Sequence, residues 1–129
     1  FQDYKLWREF NYNMLAYISS EYNGTIIVPM TILNEKYFNE IVGRLRSDGL
    51  VVKHFTLLAN KNTLVERLNS RGDGGNLWIT ERLDRCIYNL KSTCFEKHII
   101  TDKKNIEEVV QEIATELNLQ LIHKLKVDE

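Results

Sequence analysis

Proline occurs once in 129 residues and cysteine twice, and no apolar run is long enough to cross a bilayer. The opening residues, Phe1-Gln2-Asp3, have neither the basic region nor the apolar stretch of a secretory signal. Charge of one sign is missing as well. Against 17 Lys and Arg stand 18 Asp and Glu, a net charge of −1, so no global field draws the chain to DNA, RNA or an anionic membrane. Cys86 and Cys94 form no Cys-x-x-Cys pair and read as reduced thiols of a cytoplasmic protein. His54, His98 and His123 are scattered, with no Cys or carboxylate at ligand spacing, so no metal site made by protein ligands is expected. No Ser-His-Asp or Cys-His nucleophile arrangement can be assembled, and no repeat or low-complexity segment interrupts the chain. The chain has no initiating methionine, and further residues are expected upstream.

A hydrophobic share of 43% and a charged share of 27% are ordinary for one globular domain of this length. Leu6, Trp7, Phe10, Met14, Tyr17 and Ile18 recur at helical spacing, so residues 3–20 read as an amphipathic helix stopped at Asn23-Gly24. The β-branched run Thr25-Ile26-Ile27-Val28, closed by Pro29, reads as a buried parallel strand. Asn34 can cap a second helix carrying Tyr37, Phe38, Ile41, Val42 and Leu45, with Asp48-Gly49 as its exit. A second strand is expected over residues 50–58 and a helix from Asn62 through Leu68. The loop Arg71-Gly72-Asp73-Gly74-Gly75 has enough glycine to be mobile, and a helix over residues 78–92 follows it. Residues 97–100 read as a third strand, and Asn105 with Glu108 as a capping-box start to a helix reaching Leu117. The tail, residues 119–127, is either a last strand or a frayed helix. Strands alternating with helices point to an α/β domain with a parallel sheet of three or four strands.

Two places can carry chemistry. Arg67 and Arg71 lie four apart before the glycine loop, and Arg82 and Arg85 three apart after it, so each pair shares a helix face. Guanidinium groups hold phosphate oxygens in bidentate fashion, and two hinged basic helices can close over a polyphosphate. The competing reading is a solvated hairpin in which Glu66, Glu81 and Asp84 pair those arginines. Ligands of open parallel sheets sit beyond the carboxyl ends of the strands, where Thr101 and Asp102 fall. These two either touch a base or ribose or only turn the chain. Thr31, after the first expected strand, carries the same two readings. Arg8 is either a solvated helix residue or a holder of an anionic substrate. Glycines 72, 74 and 75 do not form a phosphate loop, because no Gly-Lys-Ser/Thr follows them.

Phe1-Gln2-Asp3-Tyr4 with Trp7-Arg8, the stretch Gly24 to Thr31, and His54-Phe55-Thr56-Leu57-Leu58-Ala59 together resemble the bacterial tunicamycin-resistance protein family. Arg67-Leu68-x-x-Arg71 and Asp84-Arg85-Cys86 extend the likeness over nearly the whole chain. That resemblance implies a doubly wound parallel sheet of the P-loop NTPase type, similar to nucleoside and shikimate kinases and incomplete at the N-terminus. It implies that residues 1–129 are the C-terminal part of one P-loop kinase-like domain, with a lid at residues 67–85. The implied function is ATP binding coupled to binding or modifying a nucleoside-like antibiotic, either as an ATP-dependent phosphotransferase or ATPase or by sequestering the drug. Under it, Arg71, Arg82 and Arg85 are catalytic, Arg67, Thr101 and Asp102 hold ATP, and Arg8 and Thr31 face the substrate. The strand and GxxGxGK[ST] loop that open the family's fold are not in the sequence, and Mg2+ is expected to be held by that N-terminal portion. Two alternatives stand beside it, a small-molecule kinase of another substrate and a non-catalytic binding module or fragment without the phosphate loop. The expected partner is a small molecule, with no nucleic acid and at most peripheral membrane contact through the tail.

Overall fold

The computed structural model describes residues 1–122. Helix α1 (Lys5–Glu21) comes first. Then come α2 (Glu35–Phe38), a π-helical turn (Asn39–Gly43) and α3 (Arg44–Ser47), which run on as one interrupted helix. Strand β1 (Thr56–Leu58) leads to α4 (Lys61–Ser70), α5 (Leu77–Leu90), β2 (His98–Ile100) and α6 (Ile106–Glu116). Four of these helices start at asparagine. Asn34, Asn60, Asn76 and Asn105 each accept a backbone N–H of the first turn, from Tyr37, Thr63, Trp78 and Glu108. At Asn105 the Glu108 carboxylate returns the bond at 2.7 Å and completes the expected capping box.

The main core lies between α1 and the α2–α3 helix. Ile32, Phe38, Ile41, Leu45 and Phe95 are buried, with Trp7, Leu15 and Ala16 of α1 packed against them. Two polar latches fix the same interface. Arg44 Nη1 lies 3.0 Å from both carboxylate oxygens of Glu9, and its guanidinium sits 3.6 Å from the Tyr12 ring centroid. Tyr12 donates its hydroxyl to Asp48 at 2.5 Å, and that bond holds the phenol above its ordinary pKa.

Strands β1 and β2 pair in parallel, with Thr56 opposite His98 and Leu58 opposite Ile100. Lys97 N–H donates to His54 O, Thr56 N–H to Lys97 O and Thr101 N–H to Leu58 O, at 3.0, 2.8 and 2.8 Å. A parallel ladder engages alternate residues of a strand, so the backbone groups of Phe55 and Leu57 point to the other edge of β1. Among the described residues no strand pairs with that edge.

Several expectations are corrected here. Residues 25–28 join no sheet, and Ile27 is 87% exposed. β-Branched composition favours an extended backbone but cannot supply a hydrogen-bonded neighbour. For the same reason the expected strand over residues 50–58 shrinks to Thr56–Leu58, the part that meets β2. The described sheet therefore has two strands instead of three or four. Helix α4 begins at Lys61, one residue before the expected start at Asn62, with Asn60 as its cap. Residues 119–122 form neither helix nor strand, and the rest of the expected tail element, with His123, lies outside the described residues. No helix among the described residues is long and apolar enough to cross a membrane.

Candidate functional site

The carboxyl ends of β1 and β2 open side by side, and the residues that follow them are tied together. Thr101 is buried directly after β2. Its hydroxyl donates to Leu58 O at 3.0 Å and accepts from Arg67 Nη1 at 2.9 Å, while Arg67 Nη2 donates to the Thr101 carbonyl at 2.7 Å. A planar guanidinium gripping hydroxyl and carbonyl of one residue is held in a fixed orientation. Arg67 itself remains exposed at the surface of α4.

Asp102 closes the other side. Its Oδ1 accepts from Asn60 N–H and from the Thr63 hydroxyl, both at 2.8 Å. The Asn60 N–H first, and then the Thr63 hydroxyl, hold this carboxyl below its usual range, so it stays ionised at neutral pH. Asp102 thereby anchors the start of α4 to the end of β2, and the two strands and α4 become one unit. Arg67, Thr101 and Asp102, grouped only by the family resemblance, are brought together.

Beyond α4, Gly72 turns the chain at φ +85, a left-handed conformation that side chains resist. Its N–H donates to Asn69 O at 3.0 Å, and Asp73 N–H donates to Leu68 O at 2.9 Å. Arg71, at the C-cap of α4, lies 3.3 Å from the Asp73 carboxylate and remains largely exposed. Arg82 and Arg85 lie on the exposed side of α5. The Arg82 guanidinium sits 4.2 Å from the Trp78 ring centroid. Of the acidic neighbours that could neutralise this group, Asp84 is taken by Lys61 at 2.8 Å and Asp73 by Arg71. Among the described residues neither Arg82 nor Arg85 has a carboxylate partner.

Arg8 and Thr31 sit elsewhere, at the interface of α1 with the segment leading into α2. Arg8 is 6% exposed. Its Nε is paired with Glu40, its Nη1 donates to Gln2 O at 2.7 Å, and its guanidinium lies 3.9 Å from the Tyr37 ring centroid. For Arg8 to hold an anion, Glu40 has to be displaced. Arg8 also holds the Glu40 carboxyl below its usual range. Thr31 is exposed beside buried Ile32. No hydrogen bond or ion pair among the described residues joins Arg8 or Thr31 to the Arg67–Thr101 group.

Sequence reasoning missed Asn60, Thr63 and Trp78. The first two were readable as an Asn-x-x-Thr cap, and the third as an aromatic four residues before Arg82 on one helix. Glu40, the partner of Arg8, lies 32 residues away and leaves no local signal.

No family profile and no curated protein matches this chain. The solved structure of the Deinococcus radiodurans tunicamycin resistance protein does, with a TM-score of 0.77 and 31% sequence identity. The match covers 95% of this chain and 71% of that one. With that identity over that share of both chains, this chain belongs to the tunicamycin resistance protein family.

Proposed function

We propose that this chain is the C-terminal part of a P-loop kinase-like domain, residues 1–129, which binds ATP and binds or modifies a nucleoside-like antibiotic. The observation that carries the reading is Arg67, held by Thr101 directly beyond the carboxyl end of a parallel sheet, with Arg71, Arg82 and Arg85 exposed on the two helices that flank the glycine loop. That end is where open α/β sheets bind their ligands. In this proposal Arg67, aligned by Thr101, lies against the base, and Asp102 keeps α4 in register with β2. Arg71, Arg82 and Arg85 reach the phosphates from the two sides of the lid at residues 67–85. The charge they would meet is the charge that develops on a transferring phosphoryl group, which fixed cations stabilise.

The exposed guanidiniums suit a polyphosphate. In this proposal its Mg2+ is held by the phosphate loop of the family's N-terminal portion. The free edge of β1 at Phe55 and Leu57, and the unpaired β-branched run at residues 25–28 with Ile27 and Val28 exposed, support a sheet that continues with strands of that portion. Arg8 and Thr31 would serve the antibiotic side, Arg8 only after exchanging Glu40 for the ligand. ATP as the co-ligand places the work in the cytoplasm.

The test is protection. Expression of the full-length protein in a tunicamycin-sensitive bacterium is expected to raise tolerance, and Arg85→Ala at equal protein level is expected to abolish it. Tolerance that is undiminished by Arg85→Ala and by Arg71→Ala together would remove the lid arginines from the function.

A further inference from the structure

Helix α5 has two faces of different chemistry. Leu83 is buried and Ile79, Ile87 and Leu90 are half-buried, at the i, i+4, i+8, i+11 spacing of an inward stripe. Trp78, Arg82 and Arg85 stand at i, i+4 and i+7 on another stripe that faces solvent. Trp78 is 63% exposed, and the Arg82 guanidinium over its ring covers one face only.

An Arg–Trp pair one helical turn apart is common as plain surface decoration. Three further facts go beyond that. The pair opens α5 directly after the glycine loop, with Trp78 N–H bonded to the Asn76 cap at 3.1 Å, so the indole sits at the loop's edge. Arg85 extends the cationic stripe beyond the indole, and among the described residues no carboxylate neutralises Arg82 or Arg85.

We infer that Trp78 is a stacking platform for the base of a nucleotide whose phosphates lie against Arg82 and Arg85. The inference rests on the lid reading above and adds a residue and a ligand chemistry to it. The pairing of groups selects the ligand class. A bare phosphate or a sugar phosphate would use the guanidiniums and leave the indole idle. An uncharged aromatic would use the indole and leave the cations idle. A planar heteroaromatic ring carrying phosphates uses both, because every base offers a π-face and guanidinium holds phosphate oxygens. The ring can belong to the phosphate donor or to a nucleotide on the acceptor side.

The experiment is equilibrium binding by the full-length protein, with ATP, uridine monophosphate and tripolyphosphate as separate probes. Trp78→Leu is expected to weaken one or both nucleotides about tenfold, the scale of one stacked base, and to leave tripolyphosphate unchanged. Trp78→Phe is expected to restore most of the affinity. A loss confined to ATP puts the platform on the donor side, and one confined to uridine monophosphate puts it on the acceptor side. Unchanged nucleotide affinity in Trp78→Leu overturns the inference, as does an equal loss for tripolyphosphate. Because Trp78 is exposed, its replacement leaves the core intact, and a matched melting curve confirms that. Arg71→Ala and Arg85→Ala judge the lid separately. If both bind nucleotide like the wild type while Trp78→Leu does not, the lid reading fails and takes with it the placing of the phosphates, and only the stacking of the base on Trp78 stands.

Discussion

Thr101→Val is the substitution that tests the site's architecture most cleanly. Valine keeps the shape of threonine and removes one hydroxyl, which here makes two bonds in a buried position. The bond to Leu58 O contributes about 1 kcal/mol, as neutral hydrogen bonds do. Leu58 O keeps the Thr101 N–H as a second partner, so no carbonyl is orphaned. The bond from Arg67 is charge-assisted, a class with a net contribution of about 1.5–3 kcal/mol, and exposure of Arg67 places it at the lower end. The total is about 2–3 kcal/mol of folding stability. Thr101→Ser keeps the hydroxyl and loses a methyl, at about 1 kcal/mol. Urea denaturation reads both as a fall in midpoint at constant slope. A double-mutant cycle with Arg67→Met is expected to show coupling of about 1 kcal/mol. A Thr101→Val protein as stable as Thr101→Ser would refute the argument, since the hydroxyl would then be holding nothing.

Ile41, buried in the π-turn, is 1% exposed, and Ile41→Ala is expected to cost about 2–5 kcal/mol in urea, against under 1 for a surface control. Asn105→Ala removes the capping box of α6 and is expected to cost about 1 kcal/mol by the same assay. Burial among Phe38 and Phe95 pushes the His54 pKa down, with Arg46 and His98 acting in the same direction. The folded protein therefore binds that proton less readily than the unfolded chain does. Stability is complete above about pH 6.5, the ordinary histidine value, and falls as the pH drops below it. Glu40 and Asp102, whose pKa values are also depressed, act only below the ordinary carboxylate range, so the two windows separate. Urea midpoints at pH 7.5 and 5.5 are expected to differ less in His54→Phe than in the wild type, and an equal difference would clear His54.

What could be read from sequence follows the range of the interaction. The helices came through because their signals are local, as in the Asn34 cap and the Asn105–Glu108 box. The inward face of α1 was misread: Leu6, Phe10, Met14 and Tyr17 of its expected stripe are exposed, and Trp7, Tyr12, Leu15 and Ala16 meet the core. The strands were overcalled because residues 25–28 and 50–55 show their composition but not whether a neighbour exists. At the site, Arg-Leu-x-x-Arg marked Arg67 and Arg71, and position after a strand marked Thr101 and Asp102. That Arg67 grips Thr101, 34 residues away, was invisible, as was the Glu40 lock on Arg8. Resemblance to the tunicamycin-resistance family supplied the fold and ligand expectations that spacing alone left open.

The central claim is that exposed lid arginines hold the phosphates of ATP. Calorimetric titration of the full-length protein with Mg-ATP, wild type against Arg71→Ala, tests it most directly. The account predicts binding by the wild type and an affinity lower by about 1.5–3 kcal/mol in the variant, the scale of a hydrogen bond to a charged group. Equal affinity for both proteins, or no binding by the wild type, would contradict it.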